Sequence, residues 1–215
     1  MTRFSGLVSI LLCVFLAGCS INNENVYEPQ AGDLLFQIAP RSGMGNAVAQ
    51  STAWNDSLKF SHVGIVAVEN GKPYVVEAAG AGVKCTDWSD FLSEAEPVGD
   101  KPGIVAMRVD REGFVPQDAV ARALLHIGEA YDWSFYPDNG KMYCSELVYE
   151  SYRLPDGSPL FSAQPMNFRD SAGNMPAFWV ELFERLGESI PEGLPGTNPN
   201  DLAKDTALKE VYRWF

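Results

Sequence analysis

The stretch "SHVGIVAVENGKPYVVEAAG", residues 61–80, constrains the fold more than any other part of the chain. Two apolar, β-favouring runs flank Asn70-Gly71, and an Asn-Gly pair suits the two positive-φ positions of the type I′ turn that closes a tight antiparallel hairpin. With those two residues as the loop, Gly64 is expected opposite Glu77 and His62 opposite Ala79. His62 and Glu77 then become diagonal neighbours on one face, roughly 7–8 Å apart at Cα and closer at their tips. A one-residue slip would send them to opposite faces, so the pairing depends on register. Gly64, having no side chain, leaves space into which Glu77 can lean. Both faces of the hairpin are otherwise apolar, with Val63, Val66, Val75 and Val76 among them, which predicts a central position in a covered sheet.

Around the hairpin, "AGDLLFQIA" reads as a short strand opened by Gly32 and Asp33, and "GIVAMRV", residues 103–109, as another. Residues 115–132 carry a helical stripe of Val120, Ala123, Leu124 and Ile127, with His126 beside it as a partly exposed helix residue. The aromatic segment "YDWSFYPDNGK", residues 131–141, ends in turn residues just before a helix that starts near Cys144. Pro176 opens a helix over 176–188, and "NPNDLAKDTALKEV" predicts a last one with Asn200 as its cap. Strands and helices segregated in this way indicate an α+β domain over residues 31–215, a mostly antiparallel sheet packed by helices.

The first residues differ in kind. Arg3 precedes "GLVSILLCVFLAG", an apolar run too short for a comfortable membrane span, with the charged start and small-residue end of an export signal. It closes in "LAGC", which resembles the bacterial lipobox. The resemblance implies a signal peptide over residues 1–18, with Cys19 becoming the lipidated first residue of the mature protein. Residues 19–30, polar and patternless, then read as a tether. The membrane is the expected partner through the lipid on Cys19, each buried methylene contributing about 0.8 kcal/mol. Ser20 after Cys19 points to a bacterial cell envelope location, at the outer membrane and facing the periplasm. An ordinary cleaved signal or an uncleaved anchor are the alternatives.

A formal charge of −12 over 215 residues argues against nucleic acid as a partner. With Cys13 in the signal and Cys19 capped by lipid, Cys85 and Cys144 are the thiols of the folded part, and in an oxidising compartment they could pair. The histidines are His62 and His126, and no C-x-x-C or H-E-x-x-H spacing occurs, so no metal or cofactor is expected. Oligomeric state has no signature in the sequence.

Cys144, in "KMYCSELVYESY", is open to two readings: a small buried residue at a helix start, or a nucleophile. A thiol at a helix N-terminus sits near the positive end of the helix dipole, which favours the thiolate, and the same free N–H groups can receive an oxyanion. His62, with Glu77 behind it, can supply the base and the group that orients the base.

The ordered set "GDLLF", "SHVGIV", "YVVEA" and "YDWSFYPDNGKMYCSELVY" resembles the YiiX/YebB-like family of permuted papain-like proteins, relatives of the NlpC/P60 cysteine peptidases. Its histidine precedes its cysteine, as in the permuted members. The resemblance implies a circularly permuted papain-like fold in which Cys144 is the nucleophile, His62 the base and Glu77 its orienting acid, with Asp33 helping to fix sheet and site. Tyr143, Trp133, Phe135 and Tyr136 are expected to wall the pocket, with Tyr143, Trp133 and Tyr136 as substrate or oxyanion contacts; core aromatics are the alternative. The implied activity is thiol-dependent hydrolysis of an amide bond in an envelope substrate, a peptidoglycan peptide or an N-acyl amide. Lipid acyl hydrolysis or transfer of the lecithin retinol acyltransferase type, and a binding lipoprotein without catalysis, remain open.

Overall fold

The structure, a computed structural model, describes residues 26–53 and 56–215. The signal and lipidation expected over residues 1–19 lie outside them. In chain order the elements are β1 (Leu34–Ile38), α1 (Gly43–Thr52), β2 (Phe60–Glu69), β3 (Lys72–Ala79), β4 (Gly82–Asp87), α2 (Trp88–Glu94), β5 (Pro97–Val98), β6 (Lys101–Pro102), β7 (Ile104–Val109), α3 (Pro116–Leu125), α4 (Cys144–Ser151), β8 (Gln164–Pro165), α5 (Ala177–Leu186), β9 (Pro195–Gly196), α6 (Pro199–Ala203) and β10 (Leu208–Arg213). Six strands form one antiparallel sheet in the order β10-β7-β1-β2-β3-β4, while β5-β6 and β8-β9 are separate two-residue pairs.

The hairpin has the expected turn and register. Asn70 and Gly71 take φ of 51° and 76°, and the ladder runs from Glu69–Lys72 to Ile65–Val76. There it stops. The Gly64–Glu77 and His62–Ala79 pairs are not formed, although Gly64 keeps its partner Leu35 on β1 and Glu77 its partner Lys84 on β4. Beyond Val76, β3 keeps the pairing with β4 that it holds from Tyr74 to Ala79 but no longer pairs with β2, so the sheet forks between β2 and β3 at the end that carries His62 and Glu77. The space over Gly64 is also taken differently: a Cβ there would lie 2.4 Å from Val75 Cγ1 and 3.0 Å from the Phe91 ring, both nearer than Glu77.

Alternation along the central strands splits the core. Leu34, Phe36, Val63, Ile65 and Val76 pack with the helical layer that includes α4, while Leu35, Val66, Val75 and Ile104 pack with Phe91 of α2. α4 is short and held by its apolar side, with Leu147 and Val148 buried and the hydroxyl of Tyr152 donating to the Gly32 carbonyl at 3.0 Å. Asp33, fully buried, accepts two hydrogen bonds from the Arg108 guanidinium, at 2.6 and 2.8 Å, and one from the Tyr27 hydroxyl at 2.6 Å. This locks β1 to β7. It also ties down Tyr27, within the expected tether, whose ring stacks on Trp88 and Tyr212.

The last expected helix is instead two elements. α6 ends at Ala203, and "LKEVYR" pairs with β7 as the edge strand β10. Alternating residues of that stretch suit a half-covered edge, and sheet pairing overrides its helix-forming Lys and Glu. The cap is Asn198, whose side chain accepts from Asp201 N; Asn200 is buried, accepting from Phe60 N at 2.8 Å and donating to Phe60 O at 2.7 Å. In α3, Ala119, Val120 and Ala123 are buried, whereas Leu124 and Ile127 face solvent because the helix ends at Leu125.

Candidate active site

Cys144 is the first residue of α4 and is 6% exposed. The N-cap, Tyr143, is extended at φ −100°, and its N–H donates to the Glu146 carboxylate at 3.4 Å. This reciprocal contact fixes where the helix starts, and so where the thiol stands. The N–H groups of the first turn have no acceptor within the helix and point out beside the thiol.

His62, on β2 next to a bulge opposite Gln37 and Ile38, spans the fork in the sheet. Its Nε2–H donates to Glu77 Oε2 at 2.5 Å, and Cys144 is the other ionisable neighbour of the imidazole. The second Glu77 oxygen accepts from the Thr86 hydroxyl at 2.5 Å, with Lys84 Nζ 3.5 Å away.

The electrostatics follow from these contacts. Burial alone would lower the His62 pKa, but the interactions with Cys144 and Glu77 outweigh it and raise it to about 10. For Glu77, burial pushes the carboxyl up; hydrogen bonds from His62 and Thr86, with Lys84 nearby, overcome this and hold it below the ordinary carboxylate range. The site is built to keep a charged imidazolium against a carboxylate.

Cys144 lines a pocket of about 60 Å³ whose walls are chiefly apolar: Met44 and Val48 of α1, Phe135, Met166, Phe168 and Trp179. The Tyr131 hydroxyl is held far above its usual pKa by burial and by the neighbouring Cys144, and both Tyr131 and Tyr143 line the same pocket. The aromatic segment divides. Phe135 takes a left-handed φ of 58°, which turns its ring inward against Tyr143 and Trp179. Trp133 does not line the pocket; it is 39% exposed and leans on Tyr131. Tyr136 does not line it either, its hydroxyl donating to Ser189 O.

Asp33 makes no hydrogen bond to His62, Glu77 or Cys144 among the described residues; it belongs to the far end of β1. His126 caps α3 and bonds Glu129. Cys85 and Cys144 are both free, the first exposed on β4. Two contributors went unanticipated, Thr86 and Lys84. Their signal was the Gly80-Ala81-Gly82 turn, which folds β4 back along β3 and sets Lys84 opposite Glu77.

Residues 28–212 match the model of a family described as permuted papain-like amidase enzymes, YaeF/YiiX, C92. The protein YiiX of Escherichia coli (strain K12) is 32% identical over 167 residues, 77% of either chain. A crystal structure described as that of the metalloprotein YiiX of Escherichia coli O157:H7 superposes with a TM-score of 0.70 at 30% identity, over 87% of this chain and 98% of that one. Among the described residues of this chain, no three His, Cys, Asp or Glu side chains are grouped so as to hold a metal ion.

Proposed function

Because the chain belongs to the permuted papain-like amidase family, and is thus a cysteine hydrolase acting on amide bonds, we propose that Cys144, His62 and Glu77 carry the reaction and that the acyl side of the substrate is apolar. The observation that carries the first part is the 2.5 Å hydrogen bond that ties His62 to Glu77, with Cys144, the first residue of α4, as the neighbour of the same imidazole. The apolar wall beside the thiol supports the second. It favours an N-acyl amide or related acyl lipid over a stem peptide of peptidoglycan.

In this reading the Cys144 thiolate attacks the carbonyl carbon, and the oxyanion takes hydrogen bonds from the Cys144 N–H and the Tyr131 hydroxyl. The His62 imidazolium gives its proton to the departing nitrogen, and the C–N bond breaks to leave a thioester. A water molecule, losing its proton to the now neutral His62, attacks the thioester and releases the carboxylic acid. Glu77 stays ionised throughout and holds Nε2. No step requires a metal, and none is carried over from the solved relative.

We also propose that the protein acts in the bacterial envelope, anchored through lipid on Cys19. The supporting feature is the "LAGC" sequence after an apolar run. Among the described residues no helix is long and apolar enough to cross a membrane. Metabolic labelling with a palmitate analogue, lost on Cys19→Ala, tests the anchor.

The test of the site is the rate of iodoacetamide alkylation of Cys144 against pH in a Cys85→Ser background, with and without His62→Ala. The expected result is fast alkylation well below the free-thiol range of about 8.5, abolished without His62. Equal profiles in the two proteins would refute the assignment of His62.

A further inference from the structure

Most polar groups around the acyl pocket are already committed. Ser51 Oγ accepts from the Trp179 indole at 3.1 Å, Thr52 Oγ1 donates to Val48 O at 2.8 Å, and the Asn167 amide donates to Ser51 O and Arg169 O. Two are not. Ser145 Oγ and Thr197 Oγ1 both line the pocket, both atoms are buried, and neither has a hydrogen-bond partner. Ser145 is 1% exposed. A serine within a helix commonly donates to the carbonyl four residues back, but Ser145 is the second residue of α4, and the residue four before it, Lys141, lies outside the helix.

A third hydroxyl is half committed. Tyr143 Oη accepts the Thr197 N–H at 3.1 Å and neighbours the Thr197 side chain, so a ligand oxygen here meets the two hydroxyls together. Gly196 keeps this corner tight, since a Cβ there would fall 3.0 Å from Tyr143 Oη and 2.5 Å from Met166 Sδ. An unpaired buried hydroxyl is costly to a folded protein, and a ligand that supplies its partner removes that cost.

Resting on the acyl-pocket reading above, we propose that Ser145 and Thr197 select acyl groups that carry a neutral oxygen, a hydroxyl or carbonyl, on carbon 2 or 3, the scissile carbonyl being carbon 1. The position follows from the chain: Ser145 is joined to the nucleophile, with Cα atoms about 3.8 Å apart, so its hydroxyl reaches only the first carbons of a group held on Cys144 Sγ. The volume agrees. About 60 Å³ has room for roughly four water-sized groups, enough for a short substituted acyl segment. The oxygen is neutral because the walls are chiefly apolar and no Lys or Arg stands among the described lining residues to meet a carboxylate. An unsubstituted chain fills the apolar walls and leaves both hydroxyls unpaired, and a site built for a hydrogen bond rejects an analogue that lacks one.

The experiment compares p-nitrophenyl butanoate with its 2-hydroxy and 3-hydroxy analogues on the full-length protein. Nitrophenolate release is read after subtraction of the rate in Cys144→Ala, and acylation of Cys144 is verified by peptide mass spectrometry. Each ratio of kcat/KM is divided by the same ratio for a small free thiol, which removes intrinsic ester reactivity. At least one hydroxy ester is expected to be preferred about tenfold or more. Ser145→Ala and Thr197→Val should each bring that preference towards one, and Thr197→Ser should restore it. The comparison is between two esters on one protein, so a general loss of activity cancels. Acylation of Cys144 by all three esters without preference, or a preference that both variants retain, overturns the selection proposal alone. Failure of every ester to acylate Cys144 overturns it together with the acyl-pocket reading.

Discussion

His62 and Glu77 belong to neighbouring strands that have already separated where the two residues stand, and a 2.5 Å hydrogen bond between their side chains bridges the gap. The backbone ladder no longer joins β2 and β3 at that point, so the bond itself fixes the imidazole. Glu77→Gln removes the charge that holds the imidazolium while keeping an acceptor, and should lower kcat on an amide substrate by about 100-fold. Thr86→Val, which removes one bond to Glu77 without touching His62, should lower it less. Steady-state kinetics of the two variants checks both the sign and the order.

The raised pKa of His62 links stability to pH. Its value rises from the ordinary 6.5 to about 10 on folding, so the folded protein holds this proton more tightly than the unfolded chain. The resulting stabilisation is fully present below about pH 6.5 and is lost as pH rises towards 10. Urea unfolding of the wild type and of His62→Gln should therefore give stabilities that converge across that interval, and a constant difference would contradict the ion pair.

Glu146 works in the same sense for a different reason, burial of its own charge. Burial, reinforced by Asp132, Glu150 and Asp138 against the hydrogen bond from Tyr143 N, raises its carboxyl from 4.5 to about 8. The folded state again binds the proton more tightly, so stability falls as pH climbs from 4.5 to 8. Glu146→Gln retains an acceptor for Tyr143 N and removes the charge. Melting curves should show the variant stabilised relative to the wild type at pH 8, with the gain vanishing near pH 4.

Asp33 and Arg108 form the partly buried ion pair that locks β1 to β7, at the opposite end of β1 from the residue paired with His62. Asp33→Asn weakens the hydrogen bonds to the guanidinium, which solvent reaches on one side, and should cost about 1.5 kcal/mol in chemical denaturation. The rate of Cys144 alkylation in the folded variant should be unchanged.

The hairpin was legible because its signal is local: Asn70-Gly71 fixes a turn, and the turn fixes a register. That was enough to set His62 beside Glu77 from the sequence. The fork was not legible, because nothing local at Gly64 or Glu77 ends the β2–β3 ladder, and β4 beyond it reads weakly with Gly82, Lys84 and Asp87 on an edge. Thr86 was missed with it. The final strand was hidden for a related reason: Lys209 and Glu210 favour helix locally, and only the partner β7 decides otherwise. The inward Phe135 and outward Trp133 differ through a single left-handed backbone position that composition does not announce.

Asn200 meets both the N–H and the carbonyl of Phe60, standing where a neighbouring strand would stand at the start of β2. The strand that bears His62 is thus secured by a residue 140 positions later, and the sheet that carries it is closed by β10 at the very end of the chain. During synthesis, a growing chain has both His62 and Cys144 long before it has Asn200. A chain that stops before Asn200 lacks this contact and leaves the N–H and carbonyl of Phe60 without that partner.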